Sequence, residues 1–244
     1  MMVSPVVNVL LAVNVSKPLL IVRSKIQLNT RSILIGRNIL CSIVGSFDRE
    51  TIVKLAKING YRGQFSWSIT MIDPMTNYCV TEKGLGELPV DKIRIPETCY
   101  CVVHQQAPTT QSLIQESIHP AQIDGDMLWH NGILKTMTIE KLQAMYRTTC
   151  EWDTKLLLKH FIHTDNLDDI DGSFACIAKK DNELYVFRND IAPLFVDAKY
   201  TISSTAFNGG KTLQSNWLFK FDLIDGLQPY KQFKTVDNPY FMEI

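Results

Sequence analysis

From residue 41 onward, short runs that alternate apolar with small polar side chains are interleaved with three stretches in which apolar residues recur every three or four positions. The first pattern has the period of a strand and the second that of a helix, and their interleaving predicts a mixed domain rather than an all-helical or all-strand one. Strands are expected at 42–47, 65–72, 98–104, 126–130, 173–179, 183–188, 199–204 and 217–224. Asp48 can cap a helix over 49–58, with Ile52, Leu55 and Ala56 on one face and Gly60 at its end. Thr138 is expected to open a second helix over 139–147 with Leu142, Met145 and Tyr146 inward. Asp153 opens a third over 154–162 with Leu157, Leu158 and Phe161 inward. Residues 73–97, rich in Pro, Gly and charge, read as a loop or an edge hairpin.

Charge divides the chain in two. Residues 1–40 contain no Asp or Glu but carry Lys17, Arg23, Lys25, Arg31 and Arg37, while the whole chain has a formal net charge of zero, so the remainder is net acidic. This marks 1–40 as an N-terminal extension, read as a propeptide, a transit segment or codons upstream of the true start, and 41–244 as the folded domain. Zero net charge gives no electrostatic reason to expect nucleic acid or a membrane surface as partner. No run approaches the roughly 18 consecutive apolar residues of a membrane span. Six cysteines without a CxxC pair suggest reduced thiols in a cytoplasmic setting, and neither a metal nor another cofactor is expected.

Cys41 stands at the boundary. On its own, a cysteine before an apolar strand reads more often as buried structure than as a nucleophile. Its neighbours form an ordered series: CSIVGSFD at 41–48, YRG at 61–63, HQQAPTT at 104–110, HP at 119–120, WHNG at 129–132, DT at 153–154, DGSFA at 171–175 and APLF at 192–195. Across 41–205 this series resembles the class II glutamine amidotransferase domain, the N-terminal nucleophile (Ntn) hydrolase domain of asparagine synthetase, glucosamine-6-phosphate synthase and amidophosphoribosyltransferase. The resemblance implies an α+β fold, a four-layer αββα sandwich.

It also implies chemistry. In that family the cysteine is the first residue of the mature chain and attacks the side-chain amide of glutamine, releasing ammonia and leaving a thioester for water. A thiol of pKa about 8.5 is mostly protonated at neutral pH, whereas a free α-amino group of pKa about 7.7–8 is poised to take its proton. One residue then supplies nucleophile and base, and an attached residue 40 would turn that amine into an inert amide.

The resemblance assigns the oxyanion donors to the side chain of Asn131 and the backbone N–H of Gly132, although Asn-Gly is also the strongest local signal for a hairpin turn, and both readings stand. His130 belongs to the same motif, on the substrate side. Asp153 matches the aspartate that accepts the glutamine ammonium, while as a helix N-cap it needs no ligand. Arg62 matches the arginine of the family's Arg-Gly motif, and Thr109 a substrate-contacting threonine.

Three positions depart from the family. Gln106 replaces the arginine that clamps the substrate carboxylate, and a neutral amide cannot make that bidentate contact. Thr110 stands where histidine is frequent, and Ile133 replaces the glutamate of asparagine synthetases. The first expectation is therefore a stand-alone glutaminase handing ammonia to a separate acceptor synthase subunit, since some forty residues after Thr205 leave no room for an acceptor domain. The alternatives are an Ntn amidohydrolase for a different small amide and a non-catalytic interaction module that retains the fold.

Overall fold

A computed structural model describes residues 41–107 and 115–236. The extension 1–40, Thr109 and Thr110 lie outside them. In chain order the strands are β1 Ser42–Ser46, β2 Ser66–Ile72, β3 Cys79–Leu85, β4 Tyr100–Gln106, β5 Ala121–Ile123, β6 Asp126–Leu134, β7 Gly172–Lys180, β8 Glu183–Arg188, β9 Phe195–Val196, β10 Ile202–Ser203, β11 Lys211–Thr212, β12 Trp217–Asp222 and β13 Gly226–Gln232. The helices are α1 Arg49–Asn59, α2 Thr136–Tyr146 and α3 Asp153–Thr164. Two sheets result, of seven strands in the order β11-β9-β10-β1-β4-β2-β3 and of six in the order β13-β12-β8-β7-β6-β5, with every pairing antiparallel.

The alternation along the strands explains how these sheets bury both faces. In β4, Tyr100 and Val102 enter one apolar cluster and Cys101 and Val103 another; in β7, Phe174, Cys176 and Ala178 face one way and Ala175 and Ile177 the other. One cluster joins side chains of the two sheets, among them Ile43, Tyr100 and Val102 with Trp129, Ile177 and Val186. A second sets Leu142 of α2 and Leu157 and Phe161 of α3 on β6, β7 and β8. The third seats Ile52, Leu55 and Ala56 of α1 on Val44, Trp67, Ile69 and Val103. The structure is therefore α+β, with two packed antiparallel sheets and helices on them.

Local signals account for the ends of α1. The Asp48 carboxylate accepts from the backbone N–H groups of Glu50 (3.2 Å) and Thr51 (3.0 Å), and Gly60 caps the far end. The other two helices begin elsewhere than expected. Chain enters α2 at Lys135, whose carbonyl takes the first helical bonds, and Thr138 is already in the first turn; its hydroxyl accepts from Asp171 N instead of capping. Trp152 is the N-cap of α3, so Asp153 is its first helical residue and not its cap. Met145, expected inward, is exposed, because the earlier start of α2 fixes a face on which Leu142 is buried and Tyr146 half-buried.

Strand predictions hold best where both faces are apolar. The β4 pairing runs two residues further than expected, to Gln106, and the predicted 199–204 strand shrinks to the short β10, which pairs with an unpredicted strand, β9. Residues 73–97 contribute the edge strand of a hairpin, β3, paired with β2 along its whole length. The largest correction concerns β6, which continues to Leu134 through Asn131 and Gly132, paired with Ala175 and Phe174 of β7. Asn-Gly is therefore in mid-strand, not in a hairpin turn. Among the described residues, no helix is long and apolar enough to cross a membrane.

The core assignment predicts unequal costs on two helices. Phe161→Ala should lose about 3–5 kcal/mol, and Met145→Ala no more than about 0.5 kcal/mol, in urea denaturation. Equal losses would mean that the inward face of α2 is misassigned.

Candidate active site

Cys41 immediately precedes β1, and its thiol is buried, with Sγ 4.0 Å from the carbonyl oxygen of Ala107 at the end of β4. Burial pushes the thiol up to about 11; the bond to Ala107 and the Arg62 guanidinium pull the other way, and the Asp153 carboxylate adds to the rise. The two charged side chains that act on the sulfur are thus Asp153 and Arg62.

Arg62 reaches this place because α1 ends at Gly60 and the chain turns back onto β4. A Cβ at Gly63 would stand 2.4–2.5 Å from backbone atoms of Gln105 and Gln106, so only glycine lets the turn lie there. The guanidinium donates to Ser204 O (3.3 Å) and Thr205 Oγ1 (3.0 Å), and its desolvation lowers its pKa. Thr205 in turn donates to Asn59 of α1. Ser204 is fixed to β1 by a 2.7 Å bond from Ile43 N to its Oγ. Arg62 is therefore held by Ser204, which is itself bonded to β1, and by Thr205, which is bonded to α1.

Asn131 and Gly132 come from the other sheet, on β6, which packs against β1. Gly132 has φ +153, and a Cβ there would fall 1.9 Å from the Ser173 carbonyl oxygen, a contact no side chain permits. Asn131 is 1% exposed and its Oδ1 has no hydrogen-bond partner among the described residues. A buried amide oxygen without a partner is costly unless something else completes it. Asp153 sits across from this pair: its Oδ2 accepts from Leu134 N (3.1 Å) and its Oδ1 from Thr154 N (2.7 Å).

Gln106 faces a different set of groups from those its place in the motif suggests. Its Oε1 accepts from Ser66 Oγ (2.9 Å) and lies 3.2 Å from His119 Nδ1, while Nε2 donates to Ser117 O (3.1 Å). Both ends of the amide are engaged inside the protein. His130 is nearly fully buried, with Nδ1 3.1 Å from Thr154 Oγ1 and Nε2 3.2 Å from Ser173 O. The structure thus groups Cys41 with Arg62 and Asp153, and groups Gln106 with His130 through His119 and Thr154.

Sequence reasoning passed over four participants. His119 stacks on His104 at 3.8 Å and contacts both Gln106 and Thr154. Lys83 of β3 donates to Ile118 O (2.7 Å) and Pro120 O (2.9 Å), fixing the segment that carries His119. His119 and Thr154 were visible as the HP and DT motifs; nothing in the local sequence marks Ser66 or Lys83. Among the described residues, no cluster of three or more His, Cys, Asp or Glu is arranged to hold a metal ion.

No protein-family model matches this chain, and no curated protein sequence matches it. Solved structures do. One is described as the structure of the allosteric regulatory enzyme of purine biosynthesis, 17% identical, with a TM-score of 0.58 over 78% of this chain and 48% of that one. Another is glutamine phosphoribosylpyrophosphate amidotransferase from B. subtilis, complexed with ADP and GMP: 18% identical, with a TM-score of 0.53 over 79% of this chain and 48% of that one. The chain has the fold of these solved structures and spans about half their length.

Two outcomes follow from the site geometry. Gly132→Ala should cost on the order of 4 kcal/mol, because the clash is with backbone; a loss below about 1 kcal/mol in urea denaturation would contradict this β6–β7 register. In the full chain the Cys41 thiol ionises near pH 11. Its alkylation by iodoacetamide, followed by peptide mass, should be roughly 300-fold slower at pH 7.5 than that of an ordinary thiol and rise about tenfold per pH unit. A rate already at its plateau by pH 8 would show the thiol to be ionised.

Proposed function

We propose that this domain is a class II glutamine amidotransferase-type glutaminase that works through Cys41 as an N-terminal nucleophile. The observation that carries the reading is the buried thiol immediately before β1, bonded to Ala107 O and subject to the charges of Asp153 and Arg62, in a fold shared with amidotransferase structures. The two sheets with helices on their outer faces also support the four-layer αββα arrangement.

In the proposed reaction, removal of residues 1–40 as a propeptide frees the α-amine of Cys41, which takes the thiol proton as Sγ attacks the glutamine carboxamide carbon. Negative charge on the carbonyl oxygen is met by the Asn131 side chain and Gly132 N–H. Collapse expels ammonia, which leaves with the proton returned by the amine, and water then hydrolyses the thioester to glutamate. Asp153 pairs with the substrate ammonium, while Arg62, Gln106, His130 and Thr109 line the substrate side. With residue 40 attached, the amine is an amide and the thiol stays protonated, so the precursor is inactive. The ammonia is proposed to pass to a separate acceptor synthase subunit in the cytoplasm.

A second reading, an Ntn amidohydrolase for another small amide, is favoured by the engagement of Gln106 with Ser66, Ser117 and His119, which leaves its amide committed within the protein.

Protein whose N-terminus is Cys41 should release ammonia and glutamate from glutamine in equal amounts. Cys41→Ala should abolish this, and Asn131→Ala should lower the rate about 100- to 1,000-fold. Ammonia release from another amide but not from glutamine would select the second reading. Activity unchanged in Cys41→Ala, or Met1 on every molecule from the native source, would sink both.

A further inference from the structure

We propose that Thr154 is a positioning residue for this site, coupling the Asp153 carboxylate to His119 and His130 through a single hydroxyl. Its catalytic consequence rests on the functional reading above; the coupling does not. Thr154 is buried on the first turn of α3, and its Oγ1 lies 3.1 Å from His119 Nε2, 3.1 Å from His130 Nδ1 and 3.3 Å from Asp153 Oδ1.

A hydroxyl has one proton to donate and two lone pairs to accept with. The outer nitrogens of the two rings face oxygens that only accept, His119 Nδ1 on Gln106 Oε1 and His130 Nε2 on Ser173 O, so they are the donors there and a neutral ring turns an acceptor toward the hydroxyl. The one hydroxyl proton is then contested by His119 Nε2, His130 Nδ1 and Asp153 Oδ1. A change at any one of the three therefore alters what the hydroxyl offers the other two. Burial keeps His119 well below its ordinary pKa, so its ring is neutral, with one donor and one acceptor nitrogen.

Each neighbour belongs to a different part of the site. His119 reaches Gln106 on β4 through its other nitrogen. His130 directly precedes Asn131, reaches Ser173 O through its other nitrogen, and receives a 2.9 Å bond from His104 Nε2 on its carbonyl. Asp153 holds Leu134 N at the end of the same strand. One hydroxyl thus joins β4, the oxyanion strand β6 and the carboxylate that acts on the thiol.

The chain has five histidines, so ring-nitrogen resonances of ¹⁵N-histidine-labelled full-length protein can be assigned by single substitution. Thr154→Val should move the ring resonances of both His119 and His130 while those of His160 and His163, near the C-terminal end of α3, stay in place. Should Thr154→Val fail to fold, His119→Gln should still move the His130 resonances through the intact hydroxyl. Movement of one ring alone, or of neither, overturns the coupling. In protein starting at Cys41, Thr154→Val should lower kcat/KM for the amide substrate about 100-fold, mainly through kcat, and Thr154→Ser should restore most of it. Unchanged kinetics in Thr154→Val would remove the catalytic consequence. If the unsubstituted protein hydrolyses no amide, the functional reading fails while the resonance experiment still decides the coupling.

Discussion

The site depends on one close approach: Gly132 lies so near the Ser173 carbonyl that no side chain fits between β6 and β7. Because Gly132 tolerates that approach at positive φ, β6 continues straight through Asn131 to Leu134 and does not turn back. The strand's continuation brings Leu134 N to the Asp153 carboxylate and sets Asn131 in the interior with an uncompleted amide oxygen. A turn at the same two residues would have exposed both groups to water. The backbone permissiveness that makes Asn-Gly a common turn is here spent on packing between two strands.

From that approach the two sheets acquire different duties. The seven-stranded sheet presents Cys41 at the start of β1 and holds Arg62 through Ser204 and Thr205; the six-stranded sheet supplies Asn131 and Gly132, and α3 supplies Asp153. Apolar packing between Ile43, Tyr100, Val102 and Trp129, Ile177, Val186 sets their separation. Polar groups buried in that seam are costly without partners; His119, Gln106 and Thr154 bond one another in sequence, and His104 donates to the His130 carbonyl. Specific hydrogen bonding, not charge, fills the part of the seam away from the thiol.

Much of this was legible in the chain. Continuous apolar runs located β7 and β8 closely, the alternation of Ser66, Ser68 and Thr70 with Trp67, Ile69 and Met71 located β2, and Asp48 with Gly60 delimited α1. The motif series located Cys41, Arg62, Asn131, Gly132 and Asp153, which the fold gathers around the two sheets. What failed failed for local reasons. Thr138 and Asp153 look like caps, but Lys135 and Trp152 occupy those positions, and both polar side chains bond across to other elements. Asn131-Gly132 resembles a turn in every respect that short-range chemistry can register; only its partner strand, some forty residues on, reveals the register. Gln106 is read correctly as neutral, yet its three partners come from β2 and the 115–120 segment, contacts that no spacing rule encodes.

The burial of Cys41 has a consequence in redox chemistry. Peroxides oxidise the thiolate, and they do so where solvent reaches it. A sulfur that is enclosed, and protonated up to about pH 11, presents neither condition. The environment that keeps the Cys41 thiol protonated in the full chain thus also shelters the sulfur from sulfenic acid formation.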